Sequence, residues 1–243
     1  KIFIETLKHH INFDSIIFCI VDDGSDEKLL KEFDDLGFKY VVVYCNRRKN
    51  IYGSTNTLVP GSMYPLTLYI GHELIKKNCK ILGVLDSDSF INENYFKICK
   101  EYTNTLDMNN VIFSAFNSGS ECHKIIGDEV ILNRDVLYKN MVGGISQFYS
   151  VDLYEKFKYK FTGEQSDNFW AYDYDFQISN FMINTNRKYV CLKESLVQHI
   201  GIKTTMIRCG IKHNIEDKQL VNIIYQLLKS PEKSDNIDFD FDK

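Results

Sequence analysis

Short apolar runs alternate with amphipathic stretches along most of this 243-residue chain. The segments 15–21, 39–45 and 80–85 are almost continuously apolar, which is typical of strands that are buried on both faces. The segments 1–10, 26–36 and 63–77 have helical character instead, and lie before and between these strands. This alternation predicts an α/β fold with a mostly parallel central sheet flanked by helices.

The pattern continues downstream with less regularity. We predict a helix at 92–104, a strand at 111–116, short strands within 122–132, a turn at Gly143-Gly144, helices at 151–157 and 173–184, and extended segments at 188–192 and 195–200. Residues 1–213 are therefore expected to form one domain. A last helix at 214–230 has an apolar stripe that predicts docking on this body. The acidic residues 231–243 are expected to form a mobile tail.

Composition excludes several classes of protein. The formal net charge of −4 gives no reason to expect nucleic-acid binding, which normally requires a basic surface. No apolar run approaches the roughly 18 residues of a membrane span. The seven cysteines are scattered, odd in number and without a C-x-x-C pair, which favours free thiols in a reducing compartment such as the cytoplasm. The sequence leaves the oligomeric state open.

Two acidic turns follow predicted strands. Asp86 and Asp88 follow the strand at 80–85, and carboxylates two residues apart can converge on a hard cation such as Mg²⁺ or Mn²⁺. Asp22 and Asp23 follow the strand at 15–21 and can accept hydrogen bonds from a nucleobase or a ribose hydroxyl. Taken alone, each segment is also explained as a solvated turn or a helix cap that binds no ligand, since acidic residues are common in both. Their occurrence at two strand ends favours a ligand site.

Six short motifs occur in an order and spacing that resemble the GT-A-fold glycosyltransferases, especially family 2. They are V-D-D-G-S-D at 21–26, the loop residues Asn50, Gly53 and Asn56, L-D-S-D-S at 85–89, Gly143-Gly144, W-A-Y-D-Y-D-F at 170–176 and S-L-V-Q-H-I-G at 195–201. The resemblance covers roughly residues 1–201. It implies a nucleoside-diphosphate-sugar donor, with a UDP-sugar favoured, a Mn²⁺ or Mg²⁺ ion, and transfer with inversion to a hydroxyl of a glycan or another acceptor.

The resemblance also implies roles in the donor site. Asp23 would contact the nucleoside and Asp88 would ligate the metal, while Asp86 would support the ribose or the metal. The Gly143-Gly144 turn would lie beside the donor sugar.

On the acceptor side, the resemblance assigns the catalytic base to Asp173. Asp175 is the alternative base. Trp170 offers either an aromatic platform for a sugar or an anchor for its loop. His199 is either a third metal ligand or a structural hydrogen-bonding residue.

One feature departs from the resemblance. Such domains normally begin with an apolar strand before the first helix, whereas this sequence opens in the predicted helix at 1–10. We therefore expect either that the first strand is missing from this chain or that another segment takes its place. A non-catalytic module that binds a nucleotide sugar or a glycan is the alternative function.

Overall fold

The computed structural model describes residues 6–7, 16–22, 31, 40–44, 63–87, 89–119, 122–161 and 174–199. The chain divides into two compact units, residues 1–199 and 200–243. All described residues belong to the first unit. The predicted helix at 214–230 and the predicted acidic tail lie outside them, so both stay predictions.

The described elements are ten strands, four α-helices and two short 3₁₀ helices. The strands are β1 (Phe18–Asp22), β2 (Tyr40–Tyr44), β3 (Ile81–Leu85), β4 (Ser89–Ile91), β5 (Val111–Ser114), β6 (Ile125–Ile131), β7 (Arg134–Lys139), β8 (Ser146–Ser150), β9 (Lys188–Leu192) and β10 (Val197–His199). The α-helices are α1 (Met63–Ile75), α2 (Tyr95–Thr105), α3 (Val151–Phe157) and α4 (Tyr174–Asn184), and the 3₁₀ helices are Lys76–Asn78 and Lys158–Phe161. None of these helices is long and apolar enough to cross a membrane.

The main sheet has six strands in the order β3-β8-β5-β9-β7-β6. Only β5 and β9 pair in parallel, and the other four pairings are antiparallel. The α/β class is thus confirmed, but the prediction of a mostly parallel central sheet is wrong. Strand β8 lies antiparallel between β3 and β5, and the β6–β7 hairpin extends the far edge.

Two smaller sheets complete the described strands. Strands β1 and β2 pair in parallel, with Phe18 opposite Tyr40 and Asp22 opposite Tyr44. Strands β4 and β10 pair antiparallel, with His199 opposite Ser89. The Phe18 ring packs edge-on against Phe96 of α2, with 5.5 Å between the ring centroids. Strand β1 therefore packs against the same helix that covers one face of the main sheet.

The two faces of the main sheet carry two hydrophobic cores. Successive side chains of β9 alternate between them, since Val190 and Leu192 belong to one core and Tyr189 and Cys191 to the other. Helix α2 covers the first core, and helices α3 and α4 cover the second. Because both faces are buried, strands β3, β5 and β9 are largely apolar, whichever direction each of them runs. This explains why the pattern predicted the strands but not their direction.

Most of the predicted elements are present. The predicted strands at 15–21, 39–45, 80–85 and 111–116 correspond to β1, β2, β3 and β5, and the predicted helices at 63–77, 92–104, 151–157 and 173–184 correspond to α1 to α4. Strands β4, β7 and β8 were not predicted. Of the predicted helices at 1–10 and 26–36, only residues 6, 7 and 31 are described, and all three are helical. None of the five described cysteines is in a disulfide.

A buried histidine holds α1 against the sheet. Nδ1 of His72 donates a hydrogen bond to the Leu68 carbonyl oxygen (2.7 Å), so Nε2 is left to accept one from the Tyr149 hydroxyl (3.0 Å). The rings of Tyr154 and Phe161 lie 5.0 and 5.6 Å from the imidazole. Burial lowers the pKa of His72 to about 4, although the Leu68 carbonyl and the Glu73 carboxylate act in the opposite direction.

Mild acid is therefore expected to destabilise the protein through His72. The unfolded chain takes up a proton on this residue near pH 6.5, and the folded chain only near pH 4. The contribution of the neutral His72 side chain to the free energy of unfolding is therefore fully present above pH 6.5 and is lost as the pH falls from 6.5 to 4. The loss from His72 between pH 7 and pH 5 should be about 2 kcal/mol. Denaturant unfolding at both pH values checks this.

The matched variant for this experiment is His72→Gln, which has no proton to gain. Its free energy of unfolding should fall less between pH 7 and pH 5 than that of the wild type. Equal losses in the two proteins would contradict the assignment to His72.

Candidate functional site

The carboxyl end of β3 is tied to the glycine turn that precedes β8. The backbone N–H of Asp86, the first residue after β3, donates to the carbonyl oxygen of Ile145 (3.1 Å). Its own carbonyl oxygen accepts from the Ser89 N–H (3.2 Å), which closes a turn over residues 86–89. Asp86 is half-buried and Ser87 is exposed, while Asp88 lies outside the described residues. The backbone of one acidic residue of the predicted D-S-D motif thus lies beside the predicted glycine turn.

The same turn is bound to the start of α4. The N–H of Gly144 donates to Oδ2 of Asp175 (2.7 Å), and the Tyr174 hydroxyl donates to the Gly144 carbonyl oxygen (3.1 Å). A Cβ atom at Gly144 would collide with the Tyr174 hydroxyl and with Oδ1 of Asp175. A Cβ at Gly143 would meet its nearest atom, in the Phe116 ring, at an ordinary 3.7 Å. Glycine is therefore required at 144 and not at 143.

Asp175, the alternative base, points toward this turn. Burial raises the pKa of the Tyr149 hydroxyl in the core, and electrostatic interaction with Tyr189 and Asp175 raises that pKa further. The carboxylate is half-buried in the first turn of α4, where helix amides favour an ionised acid. Its bond to Gly144 gives it a clear role in holding the turn.

The pairing of β4 with β10 brings a second predicted ligand to this region. His199 ends β10 opposite Ser89, whose N–H is bonded to Asp86. The His199 side chain is half-buried, and Ser89 is fully buried with no hydrogen-bond partner for its hydroxyl among the described residues. Asp86, Gly144 and His199, which are far apart in sequence, are thus linked through a few backbone hydrogen bonds.

Other predicted site residues are less completely described. Asp22 is the last residue of β1, as expected for an acid at a strand end. Asp23, Trp170 and Asp173 lie outside the described residues, and their roles stay predictions. Asp173 directly precedes Tyr174, the first residue of α4.

The predicted metal ligands form an incomplete set. Within the described part of the chain, no three His, Cys, Asp or Glu side chains are grouped closely enough to hold an ion. Of the expected ligands, Asp86 and His199 are described and Asp88 is not. The donor types, a carboxylate oxygen and an imidazole nitrogen, suit Mn²⁺. The described residues alone therefore do not supply the whole predicted ligand set.

Two of three buried polar atoms without a partner belong to side chains that lie beside Gly143. The three atoms are Nδ1 of His123, Oδ1 of Asn140 and Oε1 of Gln147, none of which has a hydrogen bond to a described residue. Gln147 uses its Nε2 to donate to the Gly143 carbonyl oxygen (3.2 Å), and the His123 ring would lie 3.8 Å from a Cβ at Gly143. Each such atom costs about 1–3 kcal/mol when nothing satisfies it.

A buried lysine holds the segment that follows β5. Lys139 ends β7 and its Nζ donates to Oδ1 of Asn117 (2.6 Å) and to the carbonyl oxygen of Ser118 (3.1 Å). Burial lowers the pKa of the Lys139 ammonium. Burial also lowers the pKa of His123, and the positive charge of Lys139 adds to that effect, so the imidazole is neutral at neutral pH. The segment after β5 is thereby anchored beside Gly143.

Several residues of this region were not predicted from the sequence. Tyr174, Ser89 and Gln147 have no spacing signal of their own, because each contributes through a contact that only the folded chain creates. Lys139 and Asn117 were missed for the same reason. The only sequence signal for Ser89, Tyr174 and Gln147 was that each lies within or close to a predicted motif.

No protein-family model and no curated protein matches this sequence.

Proposed function

We propose that this protein is a GT-A-type glycosyltransferase that moves a sugar from a nucleoside-diphosphate donor to an acceptor hydroxyl, with inversion and with a divalent metal ion. The observation that carries this proposal is the hydrogen-bonded connection between the end of β3, the glycine turn and the start of α4. Three motifs that were predicted to contribute metal binding, donor-sugar binding and the base are therefore neighbours. The antiparallel β4–β10 pair adds His199 to the same region.

Each group has a defined task in this proposal. Asp88, with Asp86 and His199, would hold Mn²⁺ or Mg²⁺, and such an ion neutralises the charge on a departing diphosphate. Asp173 would accept the proton of the acceptor hydroxyl. Asp175 keeps the Gly144 turn in place through its 2.7 Å bond, so that the donor sugar would meet a fixed backbone.

Binding experiments with the whole chain test the donor site. We expect UDP and UDP-glucose to bind in the presence of Mn²⁺, measured by calorimetry. Asp88→Asn should raise the dissociation constant at least about 10-fold, because ligand substitutions weaken metal sites by that order. The matched control is Asp128→Asn, which alters an exposed aspartate of β6 and should bind as the wild type does.

A panel of further sugar nucleotides and glycan acceptors then separates transfer from binding alone. Binding that depends on Asp88 without formation of a glycosylated product would favour the non-catalytic module. If Mn²⁺ and nucleoside diphosphates leave the melting temperature and the calorimetric signal unchanged, the proposal is wrong.

A further inference from the structure

Strand β6 lies at one edge of the main sheet. It pairs with β7 on one side, and no described strand pairs with its other side. Four aliphatic side chains of this strand and the turn after it are exposed, namely Ile125 (59 %), Ile126 (61 %), Val130 (64 %) and Leu132 (44 %). A sheet edge that combines such side chains with unpaired backbone groups is a place where another strand can add.

The geometry of the β6–β7 hairpin determines which backbone groups of β6 point away from β7. The two turn residues at 132–133 have positive φ angles of 52° and 61°, as in a type I′ turn, so Ile131 belongs to the hydrogen-bonded pair that closes the hairpin. Hydrogen bonding alternates along an antiparallel pair, so Glu129 also bonds to β7. The N–H and C=O groups of Asp128 and Val130 therefore point outward.

The charges of β6 decide which strand fits this edge. Asp128 and Glu129 are adjacent and both are exposed. Two β6 strands that pair antiparallel through the outward groups of Asp128 and Val130 place Glu129 opposite its counterpart, and pairing centred on Asp128 places Asp128 opposite its counterpart. Like charges directly opposite each other destabilise a sheet, so a second copy of this chain is a poor partner. A strand with a basic residue opposite Asp128 gains an ion pair instead.

We infer that β6 is a docking edge, to which an extended segment of a partner protein adds as a further strand, with a lysine or arginine opposite Asp128 and an aliphatic residue opposite Val130. The β-bulge between Ile125 and Gly127 interrupts the regular edge, so the added strand pairs with residues 127–131. It bonds to the outward backbone groups and covers the exposed aliphatic side chains. This interaction is separate from the proposed sugar transfer.

An NMR titration of the whole chain with a model peptide tests this inference. The peptide acetyl-T-V-T-K-T-V-T-amide carries its lysine and both valines on one face of a strand, and the comparison peptide has glutamate in place of the lysine. The lysine peptide should bind with saturation, shift the amide signals of Asp128 and Val130, and slow the hydrogen exchange of these two amides. The glutamate peptide should bind at least about 5-fold more weakly, because it places like charges opposite each other.

Two variants separate strand pairing from unspecific charge attraction. Val130→Pro removes an outward N–H group and keeps the bonds to β7, so the hairpin should be retained, while the dissociation constant of the lysine peptide should rise about 10-fold. Asp128→Lys should reverse the preference between the two peptides, and it serves if Val130→Pro does not fold. Glu101→Lys, which reverses an exposed charge on α2, is the matched control and should bind as the wild type does.

Three results would overturn the inference. One is a wild type whose Asp128 and Val130 amides are shifted by neither peptide. Another is a wild-type dimer, seen by sedimentation, in which these two amides are already protected from exchange without peptide, because a second copy then covers the edge. The third is equal binding of both peptides to the wild type and to Asp128→Lys, which would refute the basic character of the partner. None of these results depends on the donor site.

Discussion

Gly144→Ala is expected to destabilise the protein by about 3 kcal/mol, the upper end of the usual cost of overpacking. The added methyl group would collide with the Tyr174 hydroxyl and with Asp175, and it would approach Cζ of Tyr174 to 2.7 Å. Tyr174 cannot swing away easily, since it is buried and stacks on Phe161 with 5.3 Å between centroids. Any movement that makes room breaks the bonds from Gly144 to Tyr174 and Asp175.

Gly143→Ala provides the matched control within the same turn. Its methyl group would make ordinary contacts with Phe116 and His123, so its free energy of unfolding should stay within about 1 kcal/mol of the wild type. Thermal unfolding should show a drop of about 10 °C for Gly144→Ala, given the usual scaling for a domain of this size. If both variants melt alike, the glycine turn is not held against α4 as described.

The fold could be predicted from the sequence where periodicity alone decides the element. Helices α1, α2, α3 and α4 and strands β1, β2, β3 and β5 were found in this way. The β6–β7 hairpin was missed in part because its two-residue turn uses Leu132 and Asn133, which both have positive φ angles of 52° and 61°. Such turns are usually marked by Asn-Gly or Asp-Gly, and leucine gives no signal. Strand β8 was missed because S-Q-F-Y-S, although largely buried, is not an apolar run.

The site could be predicted only as a set of motifs. The sequence indicated Asp86, Gly143-Gly144 and His199, and the structure links them through Ile145 and Ser89. It gave no means of finding Gln147, because a buried glutamine looks like any polar residue until its neighbours are known. The contact of Asp175 with the glycine turn, through the Gly144 N–H, had no sequence signal either. Tertiary contacts of this kind have no periodic signature.

The two acids at the start of α4 are expected to respond differently to the same substitution. Asp173→Asn should lower the rate of sugar transfer at least about 100-fold, because an amide cannot accept the acceptor's proton. Asp175→Asn should keep the rate within about 10-fold of the wild type, since an amide oxygen still accepts the Gly144 N–H, although a neutral acceptor is weaker. Initial rates with saturating donor and acceptor, together with melting temperatures, check both.

Asp175→Ala separates the structural role of this residue from a chemical one. It removes the acceptor of the Gly144 N–H, so both stability and transfer should fall, whereas Asp173→Asn should melt as the wild type does because it changes only the proton acceptor. Asp152→Asn, in the exposed first turn of α3, is the control for loss of a helix-start carboxylate. If Asp173→Asn stays active, whereas Asp175→Asn folds stably but is inactive, then Asp175 is the base. The bond to Gly144 would then hold the catalytic carboxylate in position, and the glycine turn would support catalysis directly.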